Sequence, residues 1–238
     1  MTDIHAHILP RIDDGPRDLE QSIELVSSCV SSGIDRIAAT SHYYSAYTPL
    51  EEFTDRRSRR LELIRNALND NNINVEIISA AEVNISNIIF NNKDISALCY
   101  GNTNNILLEI PHTETEFENA SKLIERIGIY FNVTPVVAHI ERYKFLVKNE
   151  KNVEYLRSIG CFIQIDAECL LKGSVFLKRR ILRFINNGLV DFIASDCHGA
   201  DRPQNLQAAY EVVRKKIGDD CVRQLKDNAN AVVSKNLY

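Results

Sequence analysis

Short runs of β-branched residues alternate with helical patterns along the whole chain, and this alternation limits the fold more than any other feature. Strands are predicted at 2–5, 34–39, 75–81, 105–110, 135–139, 161–165 and 190–195. Helices are predicted near 18–32, 50–71, 114–131, 150–159, 174–187, 204–217 and 219–227. Strands that alternate with helices form βαβ units around a parallel sheet. Seven of them predict an α/β protein with a closed or nearly closed, TIM-like barrel rather than an open sheet.

The bulk composition is that of one enzyme-sized domain. A chain of 238 residues with 45% hydrophobic and 25% charged residues can bury a sizeable core, which argues against disorder. The glycine-rich loops with which open sheets bind phosphates, Gly-x-Gly-x-x-Gly and Gly-x-x-x-x-Gly-Lys-Ser/Thr, do not occur. We therefore expect a single domain over residues 1–238.

Charge, apolar run length and cysteine spacing argue against a nucleic-acid-binding, membrane-spanning or disulfide-bonded protein. The net charge of −4 disfavours a nucleic-acid partner, which requires a basic surface. We expect no membrane insertion, because the apolar runs are far shorter than the ~20 residues of a membrane span. Without a signal-peptide pattern at the start, we expect a cytoplasmic protein. The six cysteines are scattered without a Cys-x-x-Cys pair, which indicates reduced, mostly buried thiols.

Metal-binding residue types follow the predicted strands in a regular way. Imidazole or carboxylate groups stand at or just after the ends of strands one to five and seven, or in the loop after strand one. They are His5, His7, Asp14, His42, Glu82, Glu109, His139, Asp196 and His198. The carboxyl ends of barrel strands meet at one rim, where barrel active sites are built. The sequence therefore predicts that these nine side chains converge.

A single His or Glu after a strand is usually a solvated loop residue, but a whole set of them favours a metal site. Imidazole and carboxylate without thiolate suit Mn, Fe, Zn or Co. Nine ligands are too many for one ion, and a bridging carboxylate can hold two ions ~3.5–4 Å apart. Such a pair binds the attacking and leaving oxygens of a displaced phosphate, with a metal-bound water as the nucleophile. We therefore predict a site for two or three divalent ions.

Two arginines are candidates for binding phosphate at the same rim. Arg142 lies three residues after His139, and Arg202 lies four residues after His198. The planar guanidinium group matches phosphate oxygens in a bidentate way, although most loop arginines are simply solvated. Arg11 is a weaker candidate.

Several motifs resemble the polymerase-and-histidinol-phosphatase (PHP) superfamily. They are Asp3-Ile4-His5-Ala6-His7-Ile8-Leu9-Pro10, Asp13-Asp14-Gly15-Pro16 and Thr40-Ser41-His42. Four more narrow the resemblance to bacterial protein-tyrosine phosphatases of capsule and exopolysaccharide biosynthesis: Ala81-Glu82, Leu108-Glu109, His139-Ile140-Glu141-Arg142-Tyr143 and Ser195-Asp196-Cys197-His198. The likeness runs from residue 2 to about 215, in order and at fitting spacing.

The resemblance implies a distorted seven-stranded (β/α)7 barrel, the PHP fold, with three metal ions, usually manganese. One ion would be held by His5, His7, Glu82 and Asp196, a second by Glu82, Glu109 and His139, and a third by Asp14, His42 and His198. Arg142 and Arg202 would hold the phosphoryl group. The family's substrates are phosphotyrosines in the C-terminal tail of a tyrosine autokinase that controls polysaccharide chain length.

Some features depart from that pattern or remain open. Asp166 stands where Asn, Thr or Ser is expected, so it either supports a neighbouring group or adds negative charge near the phosphate. Cys197, between two ligands, is expected to be a small packed side chain. The cluster of Tyr43, Tyr44 and Tyr47 either packs against neighbouring loops or contacts substrate. His112 has no predicted role.

Three other functions compete with a protein phosphatase. A histidinol phosphatase would use the same barrel and metals on a small molecule. A nuclease is disfavoured by the acidic balance. A non-catalytic regulatory module would be expected to have lost ligands, yet all nine positions are filled. The sequence leaves the oligomeric state open, with a homo-oligomer among the options.

Overall fold

The computed structural model describes residues 1–111 and 116–234, in which short parallel strands alternate with helices. The strands are β1 (Thr2–Ala6), β2 (Arg36–Ala39), β3 (His42–Tyr44), β4 (Glu76–Ser79), β5 (Glu82–Asn84), β6 (Asn105–Glu109), β7 (Thr134–Val137), β8 (Phe162–Asp166) and β9 (Phe192–Ala194). The helices are α1 (Leu19–Ser31), α2 (Leu50–Asp70), α3 (Phe117–Phe131), α4 (Lys144–Lys148), α5 (Glu150–Ser158), α6 (Ala167–Leu171), α7 (Val175–Asn186), α8 (Leu206–Lys216) and α9 (Asp219–Val232). Single 3-10 turns occupy Asn87–Asn91, Ser96–Leu98 and Ile140–Arg142.

The strands form two parallel sheets, so the α/β class and the parallel pairing are confirmed. One sheet has the order β1-β2-β4, and the other has the order β3-β5-β6-β7-β8-β9. A single parallel bridge between Ala6 and Cys197 connects the end of β1 with the segment after β9. The ladders over the described ranges define two sheets and not one closed barrel.

Within the described residues nine short strands replace the predicted seven, because the second and third predicted strands are each followed, after a short interruption, by a further strand. The prediction at 34–39 did not include β3, and the prediction at 75–81 ended before β5. At the first interruption the Thr40 hydroxyl accepts a hydrogen bond from Ala6 N (3.0 Å) in place of a regular ladder partner. At the second, Glu82 N donates to Thr40 O (3.1 Å) and Ser41 O (3.2 Å). Both interruptions thus lie beside Thr40, whose hydroxyl takes part in the first and whose backbone oxygen takes part in the second.

The helix predictions are confirmed with small changes in their ends. The start predicted for the third helix, at 114, falls outside the described residues. Two short helices, α4 and α6, were not predicted. Helix α9 continues beyond the predicted end at 227, since Ala229 and Val232 are buried against the strands. Gly160 and Gly188 end α5 and α7 with φ of 88° and 69°, a conformation that favours glycine.

Two apolar clusters position the strand ends. The smaller one joins side chains of several strands, including Ile4, Leu107, Val136 and Phe192. The larger one packs the helices against the outer faces of the strands. Since both faces of the strands are buried, the polar groups at the strand ends are held on a rigid frame.

None of the helices within 1–111 and 116–234 is long and apolar enough to cross a membrane. All six cysteines are free thiols, and five of them are buried.

Candidate metal centre

All nine predicted ligands lie together, where β1, β2, β4, β6, β7 and β9 end and where His42 and Glu82 begin β3 and β5. Seven of them are buried: His5, His7, Glu82, Glu109, His139, Asp196 and His198. His42 is partly buried, whereas the Asp14 side chain is 59% exposed. Burying this many ionisable groups is costly unless they are paired or bind cations, so their burial together favours a site for cations.

Glu82, the first residue of β5, lies at the middle of the cluster. Its Oε2 atom is 3.2 Å from His5 Nε2, 3.2 Å from His7 Nε2 and 3.0 Å from His42 Nδ1. Its Oε1 atom is 2.7 Å from His139 Nε2. One carboxylate therefore contacts four imidazoles, as a group shared between two ions would.

Glu109 ends β6, and His139 lies two residues after the end of the neighbouring strand β7. The distance between Glu109 Oε1 and His139 Nε2 is 3.7 Å. Asn84 donates a hydrogen bond to the other Glu109 oxygen (3.0 Å), and the Tyr143 hydroxyl is 3.3 Å from His139 Nδ1. Asn84 and Tyr143 orient two potential ligands, a role that outer residues commonly have at metal sites.

The exposed edge of the cluster is formed by Asp14, His42 and His198. Asp14 Oδ1 is 3.1 Å from His198 Nε2 and 3.5 Å from His42 Nε2. The His198 ring stacks on His7, with ring centroids 3.9 Å apart. Gly15 permits the tight loop here, because a Cβ at this position would lie 2.6 Å from the His7 carbonyl oxygen.

Asp196 joins the imidazoles to the two candidate arginines. Its Oδ1 atom is 3.3 Å from His5 Nε2 and 3.5 Å from His7 Nε2. Its Oδ2 atom accepts hydrogen bonds from Nη2 of both Arg142 and Arg202. The two guanidinium groups thus meet at one carboxylate.

Asp166 does not line the metal groups but holds Arg142. Its Oδ2 atom accepts a hydrogen bond from Arg142 Nη2 (2.6 Å), and its Oδ1 atom accepts one from Gln164 Nε2 (3.0 Å). The opening bounded by Arg142, Asp196 and Arg202 has a volume of about 10 Å³. A phosphoryl group does not fit into so small a space, so the arginines must turn away from Asp196 before they can bind one.

The donor set fits divalent cations in three overlapping groups. Within each group one donor atom per residue lies within 4.8 Å of all the others. The groups are His5, His7, Glu82 and Asp196; His42, Glu82 and Glu109; and His7, Asp14, His42 and His198. Two differ from the sets that the resemblance implied: His42 takes the place of His139 beside Glu82 and Glu109, and His7 joins the outer three. Nitrogen and oxygen donors without sulfur suit Mn, Fe, Zn or Co.

The pKa shifts of the buried groups show that the cluster attracts positive charge. Burial lowers the pKa of His5, but the carboxylates of Glu82 and Asp196 override this effect and raise it to about 9. Burial raises the pKa of Glu82, yet His5 and the hydrogen bond with His139 hold it well below its usual range. The carboxylates are thus charged, and bound metal ions can balance their charge by displacing protons from the ligands.

Two of the nine residues have a strained backbone. His139 has φ of 34° and Asp196 has φ of 49°, in the left-handed region that non-glycine residues rarely adopt. Such strain is concentrated at functional sites, where the surrounding structure maintains it. It turns both side chains towards the cluster directly after their strands end.

Sequence reasoning missed three residues that support the site. Asp13 accepts a hydrogen bond from His42 N (3.1 Å) and its Oδ2 is 2.8 Å from His7 Nδ1. Gln164 accepts from His139 N (2.8 Å), and Glu141 accepts from Asp166 N (3.2 Å). A signal was present for each of them: Asp13 and Glu141 belong to two of the motifs that carry the resemblance, and Gln164 lies two residues before Asp166 on one strand face.

The other candidates are placed as follows. Tyr43 is buried against Phe53 (ring centroids 5.0 Å apart), so packing is its role. Tyr44 is 38% exposed with its ring 5.4 Å from His42, and Tyr47 is 85% exposed. Arg11 donates to Arg17 O (2.7 Å) outside the cluster.

Sequence analysis also singled out Cys197 and His112. Cys197 is fully buried, as expected for a packed thiol. His112 lies outside the described residues.

An α/β fold whose parallel strands end in buried imidazoles and carboxylates beside paired arginines defines a class, the metal-dependent hydrolases of phosphate esters. Within this class the chain belongs to the CpsB/CapC family of capsular polysaccharide synthesis, which matches residues 1–234.

Individual relatives agree along the full length. The chain is 30% identical to the tyrosine-protein phosphatase CpsB of Streptococcus pneumoniae, with 100% of both chains covered. It is 29% identical to the tyrosine-protein phosphatase YwqE of Bacillus subtilis, covering 98% of this chain and 91% of that one. A crystal structure from a study of YwqE and CpsB, described as unique metal-dependent tyrosine phosphatases, superposes with a TM-score of 0.88 at 26% identity, covering 100% of this chain and 96% of the other.

Proposed function

We propose that this chain is a metal-dependent protein-tyrosine phosphatase that uses two or three divalent ions at the strand ends. The observation that carries the proposal is the contact of one buried carboxylate, Glu82, with four imidazoles, next to two arginines that meet at Asp196. The relatives that match along the full length are tyrosine-protein phosphatases.

The nine predicted ligands would hold the ions in the three groups defined above, with Glu82 shared between two groups. His139 would join Glu82 and Glu109, since its Nε2 is near an oxygen of each. Divalent ions in such a site supply Lewis acidity and activate water for attack on a phosphate ester. We expect manganese as the native ion, with Fe, Zn, Co or Mg as alternatives that metal analysis of the purified protein would distinguish.

The arginines would bind and orient the phosphoryl group. Arg142 and Arg202 are each about one-third exposed, so a ligand can approach both guanidinium groups once they turn away from Asp196. The carboxylate of Asp166 would hold Arg142 at the site when its contact with Asp196 is released. Bidentate guanidinium–phosphate contacts would then fix the ester for attack.

We also propose that the two sheets act as one distorted barrel of the PHP type, formed by a single domain over residues 1–238. Supporting this, Thr40 and Ser41 join β2 to β3 directly, as Ala80 and Ala81 join β4 to β5. The bridge between Ala6 and Cys197 brings β1 next to the chain that leaves β9. The Asp196 N to His5 O hydrogen bond (2.8 Å) supports the same closure.

The substrate we propose is phosphotyrosine in the tail of a bacterial tyrosine kinase of polysaccharide synthesis. The family's link to capsular polysaccharide synthesis and the names of the relatives support it. The chemistry supports it too: the phenolate of tyrosine, whose phenol has a pKa of about 10, is a better leaving group than the alkoxide of serine.

One side-by-side assay tests the proposed function. The manganese-loaded enzyme is given a phosphotyrosine peptide, the same peptide with phosphoserine, and histidinol phosphate. We expect the highest kcat/KM on phosphotyrosine. A tenfold or greater preference for histidinol phosphate would replace the protein-phosphatase assignment but leave the metal centre intact.

A further inference from the structure

A cleft of about 310 Å³ opens beside the metal centre, between β3 and helix α2. Asp14 and His42 line it and also belong to the outer metal group, so the cleft is continuous with the site. Tyr44, Phe53 and Arg56 line it as well. Its volume is at the lower end of the range for ligand pockets, enough for one or two side chains.

We infer that this cleft binds a residue that flanks the phosphotyrosine, and that Arg56 pairs there with an anionic side chain. The inference rests on the proposed function and specifies its substrate class: phosphotyrosine peptides with a negative charge close to the phosphorylated residue.

Arg56 is a partly buried cation without an anion. Within residues 1–111 and 116–234 it forms neither an ion pair nor a hydrogen bond, and its Nε atom is buried without an acceptor. Glu52, one helical turn earlier, could pair with it along α2, but no such pair forms in the described chain. A buried donor without a partner is costly, which favours a ligand that supplies the missing acceptor.

Two other arginines of α2, Arg57 and Arg65, have structural roles that Arg56 lacks. Arg57 donates to Ala80 O (2.9 Å) and Ala97 O (2.7 Å), and Arg65 donates to Ile77 O (2.6 Å). These contacts fasten the helix to the loops and strands beneath it. Arg56 is the member of this group that lines the cleft, which distinguishes it from an arginine that merely anchors the helix.

The charges around the cleft determine where an anion can bind. Its side towards the metal centre carries the carboxylates of Asp13 and Asp14, which repel an acidic side chain. Tyr44, which is 38% exposed, provides aromatic surface in the cleft for an aliphatic or aromatic stem. An acidic residue would therefore pack its stem on the Tyr44 ring and direct its charge to Arg56.

The spacing fits a residue near the phosphotyrosine. In an extended peptide, residues two positions apart point to the same side and lie about 6–7 Å from each other. Because Asp14 and His42 border both the metal centre and the cleft, one extended peptide can reach both. We therefore place the anion within two residues of the phosphotyrosine.

The test is a series of phosphotyrosine peptides that differ at one flanking position, scanned over the two residues on either side. That position carries Glu, Gln, Lys or a second phosphotyrosine. For the wild-type enzyme we expect kcat/KM with Glu to exceed that with Gln by about 3- to 10-fold at one position, the range of a partly exposed charge-assisted contact. A larger value for the second phosphotyrosine than for Glu would identify phosphate, rather than carboxylate, as the preferred anion.

Variants of Arg56 test which side chain is responsible. Arg56→Gln should bring the Glu/Gln ratio to about one, and Arg56→Lys should retain part of the preference, because it keeps the charge but loses the planar fork. Arg56→Glu should shift the preference to the peptide with Lys. The matched control is Arg59→Gln, an exposed change on the same helix, which should keep the wild-type ratio.

The possible failures are distinguishable. Equal kcat/KM for Glu and Gln peptides with the wild-type enzyme at all positions would overturn the inference without affecting the phosphatase assignment, and this arm needs no variant to fold. An unchanged ratio in Arg56→Gln, or an equal loss in Arg59→Gln, would also overturn it. If no phosphotyrosine peptide is hydrolysed at all, the proposed function is wrong and the inference falls with it.

Discussion

Replacing Glu82 by glutamine should disable the site while preserving its shape. Glutamine has the same size as glutamate but no charge, and the four imidazole contacts of 2.7–3.2 Å would lose their common anion. Removing one partner of a buried charge pair costs about 3–5 kcal/mol. At 1.4 kcal/mol per factor of ten, we expect metal affinity to fall by about 10²- to 4 × 10³-fold.

The assay measures metal content and activity of the same samples. Glu82→Gln and wild-type protein are dialysed against a series of buffered manganese concentrations, and bound metal and kcat/KM are recorded at each. Glu154→Gln, an exposed change on α5, serves as the matched control and should behave as wild type. If Glu82→Gln binds metal with wild-type affinity and keeps its activity, the assignment of a shared carboxylate is wrong.

Three further predictions concern the same region. A strong chelator should abolish activity and lower the melting temperature, because the buried carboxylates lose their cations; full turnover by rigorously metal-free protein would contradict the requirement for metal. Thiol alkylation should have little effect on activity, since Cys197 is fully buried. Arg142→Ala and Arg202→Ala should each cost about 2–4 kcal/mol of transition-state stabilisation in kcat/KM with metal content unchanged, and lysine should restore little. Gly15→Ala should lower stability by about 1–3 kcal/mol in denaturant unfolding, because its Cβ would lie 2.6 Å from the His7 carbonyl oxygen; a stability equal to wild type would show that the loop can relax.

The order of strands and helices was predictable from the sequence, since it depends on local patterns. Helix α1 was predicted at 18–32 and occupies Leu19–Ser31, because its apolar spacing and the glycine after it are short-range signals. The gathering of nine ligand-type residues was predictable too. Parallel strands bring their carboxyl ends to one side, whatever the details of packing.

The tertiary structure decided the contacts that depend on residues far apart in the chain. Strand β2 stops at Ala39 because Thr40 pairs with Ala6, which is 34 residues away. Asp166 is a partner of Arg142, 24 residues away, and not a ligand-like residue of the metal groups.

The cleft that Arg56 lines exists because α2 packs beside β3 and the loop that carries Asp14. Neither periodicity nor motif spacing records which side chains meet across such distances. Local sequence sets the conformation of each element, whereas the pairing of charged groups depends on how whole elements pack, and a shift of one or two ångströms there decides which partners meet.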